Sequence, residues 1–247
     1  MGESYGAYKI GNDAELMPFI TSANIACGFH AGDPVTIDRT MKLAKAHKVA
    51  VGAHPGFPDI MGFGRREMQL SPEETRDYLI YQIGAVQTFA AAEGIRLQHM
   101  KPHGALYNMA VKDEKLSKTL IDTIASLGKK LIIFAPPRSE LSKRATKAGL
   151  KVACEFFADR AYNAEGNLIS RAQAKSVLTD PRIITDRVVR AVTEKTVETI
   201  NGDSLAIDEV NTICIHGDNP NAPALVRIVN KQLKKATVKI MPAGMFL

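Results

Sequence analysis

Short apolar runs of β-prone residues alternate with longer segments of helical periodicity along most of this chain. The β-prone runs are Phe19–Cys27, Val49–Ala53, Leu97–Met100, Leu131–Ala135, Val152–Phe157, Thr212–Ile215 and Val238–Met241. In the segments between them, apolar residues recur three or four positions apart, as at Ile37, Met41 and Ala44. Near-continuous apolar strands separated by amphipathic helices indicate a parallel sheet covered by helices.

Proline marks the predicted helix starts. A capping side chain precedes a proline at Asp33-Pro34, Ser71-Pro72 and Asp180-Pro181. Glu74 would complete a capping box with Ser71. Asn219-Pro220 suggests a fourth start, although Pro223 leaves its position open.

The alternation is compatible with a closed barrel or an open doubly wound sheet. The sequence contains neither GxGxxG after the first strand nor GxxxxGK[ST]. These are the motifs that would indicate an open nucleotide-binding sheet, so their absence argues against that fold. Six or seven β-α units in 247 residues favour a (β/α) barrel. No linker rich in Pro, Gly or Ser divides the chain, so we expect a single barrel domain over residues 1–247.

The composition of the chain argues against a membrane or a nucleic acid as its partner. No apolar run approaches the roughly 18 residues of a membrane helix, and the polar N-terminus predicts a cytoplasmic protein. The net charge of +6 is dispersed and no nucleic-acid motif is present, so a small anionic substrate is the simpler use of the positive field. Cys27, Cys154 and Cys214 lie in apolar stretches and are expected to be buried thiols.

Four of the six histidines follow the ends of predicted strands, each within two residues of Gly or Pro: His30, His54, His103 and His216. Parallel α/β folds bind ligands at the carboxyl ends of their strands, so these side chains are expected to share one site. His99, within a strand, is expected to face the helical layer.

Other polar residues at the strand ends complete a hydrolase-like set. Glu155, Asp159 and Asp218 supply carboxylates, and Lys101 and Arg160 can hold an anionic group or a developing oxyanion. No GxSxG is present, so attack by an activated water is favoured over an acyl-enzyme. Whether the site binds a divalent metal stays open. The four histidines are candidate ligands, but the sequence has no HExxH motif, whose spacing would support a metal site.

One segment is predicted to cover the mouth of the barrel. It runs Gly62-Phe63-Gly64-Arg65-Arg66-Glu67. Its arginines form either a substrate clamp or a solvated pair tied to Glu67.

Several long motifs resemble those of one family. They are Ser22–Asp33 (SANIACGFHAGD), Gly52–Pro55, Gly62–Arg66, Lys101–Tyr107 (KPHGALY), Phe157–Arg160 and His216–Asp218. In order and over nearly the whole chain, they resemble the family of 5-oxoprolinase A subunits, also called LamB/YcsF. The resemblance implies a seven-stranded (β/α) barrel related to the glycoside hydrolase/deacetylase group.

The resemblance also implies an activity: opening of 5-oxoproline (pyroglutamate) to L-glutamate, driven by ATP hydrolysis and shared with the B and C subunits of 5-oxoprolinase. ATP would then be a co-substrate, bound through the partner subunits. We expect Lys101, His103, Asp159 and Glu155 to be catalytic, with His103 or Asp159 activating water and Lys101 holding the anionic oxygen. The expected substrate-binding residues are His30, Asp33, His54, Arg160, His216 and Asp218, with Asp33 also capping a helix.

The chain departs from the family pattern at its N-terminus. Family members usually begin with a strand carrying an Asp-Leu-Asn-x-Asp-x-Gly-Glu-like motif, whereas this sequence starts Met1-Gly2-Glu3-Ser4. We therefore expect the first strand and its two acidic residues to be missing, which would leave a barrel edge open.

Two other functions stay open at this point. One is a metal-dependent amidase or carbohydrate deacetylase on the same barrel. The other is a non-catalytic ligand-binding protein, since a fold does not fix a function. The sequence also leaves open whether the chain forms a homo-oligomer.

Overall fold

The computed structural model describes residues 1–128 and 130–247. Over these residues the strands are β1 (Ser22–Ala26), β2 (Ala50–His54), β3 (Leu97–Met100), β4 (Ile132–Ala135), β5 (Val152–Phe157), β6 (Thr196–Glu198), β7 (Ser204–Ala206) and β8 (Thr212–Cys214). The α-helices are α1 (Asp13–Leu16), α2 (Pro34–Ala46), α3 (Pro72–Ala92), α4 (Gly104–Ala110), α5 (Glu114–Leu127), α6 (Glu140–Lys147), α7 (Pro181–Thr193) and α8 (Ala222–Lys235). Short 3-10 helices span Met17–Phe19 and Ala243–Met245. None of the described helices is both long and apolar enough to cross a membrane.

The sheet is parallel and curls into a half-barrel, which confirms the predicted α/β barrel class. Its strand order is β1-β2-β3-β4-β5-β8, and every neighbouring pair is parallel. A helix follows each strand, so the helices cover the outer face and the carboxyl ends of the strands gather at one rim. This arrangement brings together the loops that carry the predicted site residues.

Two details of the strand prediction were wrong. Val238–Met241 does not form a strand; its apolar side chains Val238 and Ile240 are partly buried against the core formed by α7 and α8. The apolar side chains of this run are therefore buried without the run joining the sheet. The described sheet has six strands rather than seven. The antiparallel hairpin of β6 and β7, between α7 and β8, was not predicted.

The helix starts follow the capping chemistry. Asp33 accepts hydrogen bonds from the Val35 and Thr36 amides, and Asp180 accepts one from the Arg182 amide. Ser71 and Glu74 form the predicted reciprocal capping box at the start of α3. The last helix begins at Ala222, two residues after Pro220, with Asn221 as its N-cap.

Residues alternate between the two faces of the sheet. Ile25, Val51 and Met100 point outward into a fully buried core shared with α2, α3 and α5. His99 was expected on this outer face, but the structure places it on the inner one, stacked on Phe134 with ring centroids 4.1 Å apart. Its Nε2 lies 3.0 Å from Asn24 Oδ1. His99 thus lies on the same strand face as Lys101, two residues away, and fills the barrel interior.

A slot separates β1 from β8, where a closed barrel would have another strand. Met1 occupies its upper end: its amino group donates to Asn24 O at 2.9 Å, and its carbonyl accepts from Ala26 N at 3.1 Å. Contacts to the residues on either side of Ile25 are the pattern of a parallel pair. Below Met1 the slot is continuous with the large interior cavity, which Ser22, Asn24 and Thr212 also line.

A β-prone extension of five residues before Met1 is expected to stabilise the fold, because it would supply ladder hydrogen bonds to the free edge of β1. Each such bond contributes about 0.5–1.5 kcal/mol net. Chemical denaturation and amide exchange of β1 would measure the gain. A Gly-Ser extension of equal length is the control, and equal stability of the two extended proteins would show that the slot does not accept a strand.

Candidate functional site

The carboxyl ends of the strands open into a cavity of about 1140 Å³. Predicted site residues on its wall include His54, Lys101, His103, Glu155, Arg160 and His216. They come from four strand ends spread over more than 160 positions of sequence, so the curl of the sheet is what collects them. The structure thus brings most of the predicted residues to one place.

A buried ion pair lies at the centre of the site. Lys101 Nζ is 2.5 Å from Glu155 Oε1 and 3.2 Å from Cys214 Sγ, and both Lys101 and Glu155 are almost completely buried. The second carboxylate oxygen of Glu155 accepts the hydroxyl of Tyr107 at 2.7 Å. The ammonium also lies 4.6 Å from the ring centre of Phe157, a cation–π distance.

These contacts fix the charges of the group. Burial alone would lower the pKa of Lys101, but Cys214 and Glu155 oppose it and the net shift is upward, so the ammonium stays charged. Burial raises the pKa of Cys214 to about 12, so its thiol is neutral at pH 7 and acts as a weak acceptor. Lys101 is therefore a fixed positive charge in a region of low dielectric, where it acts strongly on a nearby oxyanion.

A second pair joins the ends of β5 and β8. His216 Nδ1 lies 2.8 Å from Asp159 Oδ1 and 3.0 Å from Oδ2, and the Asp159 carboxylate is buried. Burial raises the pKa of Asp159, but the hydrogen bonds and charge of His216 outweigh it, and the pKa falls below its usual value. An ionised carboxylate can only accept, so Nδ1 carries a proton in this pair, and Nε2 is the ring nitrogen left for the cavity that His216 lines.

The other three strand-end histidines pack into one group. The rings of His30 and His103 stack with centroids 3.7 Å apart, and His103 Nδ1 lies 3.1 Å from His54 Nε2. The carbonyls of Lys101 and Phe63 contact His54 Nδ1 at 2.6 Å and His103 Nε2 at 2.7 Å. Carbonyls only accept, so each ring must donate there, and a bond between the two facing nitrogens would need one further proton.

Burial opposes that extra charge. It lowers the pKa of His103 to about 3 and that of His54 well below its usual value. It also lowers the pKa of His30, whose two ring nitrogens have no hydrogen-bond partner among the described residues. The three rings are therefore neutral and held by packing. Gly64, at a φ of 64°, permits this packing because a Cβ there would come within 2.7 Å of His30 Cβ.

The one cluster in residues 1–128 and 130–247 with metal-like spacing is Glu3, His30 and His103, whose ligand atoms lie within 4.8 Å of one another. An imidazole binds a metal along a lone pair in the plane of its ring, at about 2.1 Å. His30 and His103 are parallel to within 3°, stacked face to face, and so cannot direct lone pairs at one ion. Both nitrogens of His103 are already in contact with His54 and Phe63. This arrangement does not fit a shared metal.

The predicted mouth loop does cover the site. Phe63 contacts His103 through its carbonyl, and Arg65 forms a 2.6 Å salt bridge with Asp218 after β8. Arg66 instead pairs with the buried carboxylate of Asp59 in the same loop. Arg65 thus joins the loop to the opposite rim, whereas Arg66 stabilises the loop itself.

Two predicted substrate-binding residues have structural partners. Asp33 accepts hydrogen bonds from Val35, Thr36 and Gly6, which occupy both of its carboxylate oxygens, and it is not on the cavity wall. Arg160 lines the cavity and also donates to the carbonyls of Ile169 and Ser176.

Three residues on the cavity wall were not assigned to the site from the sequence. Cys214 had been interpreted only as a core thiol, and Tyr107 had been noted only as part of a motif. Arg171 gave no local signal, because it follows no strand. For Tyr107 the signal was its place on α4, about one turn after that helix begins at the end of β3, which keeps its side chain near the rim.

A curled parallel sheet, with a cavity that charged and polar side chains line at the carboxyl ends of the strands, defines an α/β-barrel protein with an enzyme-like site. The LamB/YcsF family model matches residues 1–246. This chain belongs to the LamB/YcsF family.

Named relatives agree with this assignment. The chain is 51% identical over 247 residues to the A subunit of 5-oxoprolinase from Pyrococcus abyssi, covering all of this chain and 96% of that protein. It is 48% identical over 242 residues to the A subunit of 5-oxoprolinase from Clostridium beijerinckii, covering 98% and 94%. The crystal structure of the lactam utilization protein from Thermus thermophilus superposes with a TM-score of 0.92 at 46% identity, covering 98% and 96%.

A more distant structure shares only the fold. A putative cellobiose-phosphate cleavage protein from Enterococcus faecalis matches with a TM-score of 0.52 at 14% identity, covering 94% of this chain and 90% of that one.

Proposed function

We propose that this chain is the A subunit of an ATP-dependent 5-oxoprolinase, which hydrolyses the cyclic amide of 5-oxoproline to L-glutamate together with the B and C subunits. Relatives named as A subunits of 5-oxoprolinase, about half identical over the whole chain, support the proposal. The structural observation that carries it is that one cavity is lined by both Lys101 and His216. Glu155 holds the Lys101 ammonium in place, and Asp159 orients the His216 imidazole.

The difficulty of the reaction explains the need for ATP. A five-membered lactam is a resonance-stabilised amide and a weak electrophile. Transfer of the γ-phosphoryl group to its carbonyl oxygen releases ADP and leaves an imidate-like carbon. Water then adds to that carbon, and the bond from carbon to the ring nitrogen breaks, giving an acyl phosphate and a free amine. A second water releases phosphate and L-glutamate.

The residues of this chain suit the water-dependent steps. In the proposal, His216 Nε2 accepts the proton of the attacking water and returns it to the departing ring nitrogen, while Asp159 stabilises the imidazolium. Lys101 would hold the anionic oxygen, since its charge is already desolvated and oriented by Glu155 and Tyr107. His103 fits the role of base less well, because its Nε2 donates to the Phe63 carbonyl and its Nδ1 faces His54 Nε2 at 3.1 Å, which leaves no room for a water between the two rings.

ATP would be bound with the help of the partner subunits, since the chain has no phosphate-binding glycine motif. The decisive experiment is reconstitution of this protein with candidate B and C subunits, following ATP-dependent release of L-glutamate from 5-oxoproline. Glutamate release that requires all three proteins and ATP is the expected result. Turnover by this chain alone, without ATP, would contradict the proposal.

A further inference from the structure

Arg171 carries an unsatisfied donor on the cavity wall. It lies in the segment between β5 and α7, of which residues 165–172 line the cavity. Its Nη2 atom is buried and has no hydrogen-bond partner among residues 1–128 and 130–247. A buried donor without an acceptor is costly, and buried polar groups in proteins are nearly always paired. The arginine is therefore in place for an acceptor that the described part of the chain does not provide.

A second guanidinium shares this region. Arg160 is only 4% exposed, and its bonds to Ile169 and Ser176 fasten the two sides of the segment that carries Arg171. Burial, and then the like charge of Arg171, lower the pKa of Arg160 to about 10. Both arginines line the same cavity, and Arg160 is bonded to Ile169, two residues before Arg171, so two positive groups lie near each other in a region of low dielectric.

The carboxylates nearby are already paired. Asp159 is bound to His216, and Asp218 is bound to Arg65. Asp159 offsets part of the positive charge, since it raises the pKa of Arg160, but it does not reverse the downward shift. The region therefore has a surplus of positive charge and a free donor.

We propose that Arg160 and Arg171 form an anion subsite that binds the carboxylate of a small substrate. A guanidinium matches a carboxylate because its parallel N–H groups meet the two oxygens. The inference rests on the proposed function, in which this group is the carboxylate of 5-oxoproline. Binding there would orient the ring, leaving Lys101 and His216 to act on the carbonyl.

Two lactams that differ only in that group test the subsite. Calorimetry on the full chain compares 5-oxoproline with 2-pyrrolidinone, the same ring without a carboxylate. Arg171→Met is expected to weaken binding of 5-oxoproline about tenfold to a hundredfold, the range for a charged hydrogen bond, and to leave 2-pyrrolidinone unchanged. Arg171→Lys should recover part of the affinity. The control is Arg182→Met, a side chain that is 91% exposed at the start of α7.

The outcomes separate the subsite from the function. An equal loss for both lactams, or no loss for either, would overturn the subsite and leave the proposed function standing. Inorganic phosphate that binds only when Arg171 is present, while discrimination between the lactams survives Arg171→Met, would reassign the site to a phosphoryl group and overturn the carboxylate. Failure of the three-subunit mixture to release glutamate would count against the proposed function itself. Thermal unfolding of each variant would confirm that it is folded.

Discussion

Lys101→Met is expected to lower the free energy of unfolding by about 3–5 kcal/mol, because it leaves the Glu155 carboxylate buried without its counter-charge. Only the Tyr107 hydroxyl would remain to satisfy that carboxylate. The same change is expected to abolish turnover in the reconstituted enzyme, since Lys101 supplies the charge proposed to hold the anionic oxygen. Chemical denaturation measures the first effect, and glutamate release the second.

A surface salt bridge with the same distance between nitrogen and oxygen provides the control. Lys118 and Asp122 are also 2.5 Å apart, but their side chains are 62% and 60% exposed. Lys118→Met should cost no more than about 0.5 kcal/mol, as is usual for such helical pairs. A similar cost for the two lysines would show that the buried pair has no special role in stability.

A double variant separates stability from chemistry. Glu155→Gln removes the negative charge and keeps an acceptor for Tyr107, so Lys101→Met/Glu155→Gln should regain much of the lost stability. It should not regain activity. Recovery of turnover in the double variant would mean that Lys101 acts only by neutralising Glu155.

His216→Gln is expected to reduce kcat by about 10²–10⁴-fold with little change in KM, the range for loss of a general base. Asp159→Asn should have an effect of similar size for a different reason. An asparagine amide can donate to His216 Nδ1, which would move the ring proton to Nε2 and remove the lone pair from the cavity. Steady-state kinetics of the three-subunit enzyme would measure both variants.

The control for this pair is His47→Gln. His47 is exposed at the end of α2, which leads into the start of β2 and so lies at the opposite end of the sheet from the strand-end loops. The His47→Gln variant should leave kcat unchanged. Retention of normal kcat by Asp159→Asn would remove His216 from the role of base.

The ionisation of Asp159 is also expected to make the stability of the fold depend on pH. Its pKa is lowered in the folded protein, so it stabilises the fold fully above its unfolded pKa, about 3.9. That contribution is lost as the pH falls through the lower, folded value. The free energy of unfolding of the wild-type protein should therefore decline more steeply below about pH 4 than that of Asp159→Asn. Parallel curves for the two proteins would contradict this.

Much of the architecture followed from local pattern. Six apolar runs became the strands of the parallel sheet, and the helices of Asp33, Ser71 and Asp180 begin where a capping side chain meets proline. These features depend on residues within one turn or one strand of each other. Val238–Met241 shows the limit of such patterns: its composition suits a strand, but the burial it needs is available without a strand partner.

The sequence by itself determined the class of fold and the rim on which polar residues would gather, because strand ends and helix caps are set by neighbours along the chain. Only the tertiary structure decided which of those residues act on each other. It paired His216 with Asp159, 57 positions away, and Lys101 with Glu155, 54 positions away. It also stacked His30 on His103 and left Arg171 Nη2 without a partner among the described residues. Such pairings depend on the order and curl of the strands, since the angle at which two strand ends meet is not encoded in either strand alone.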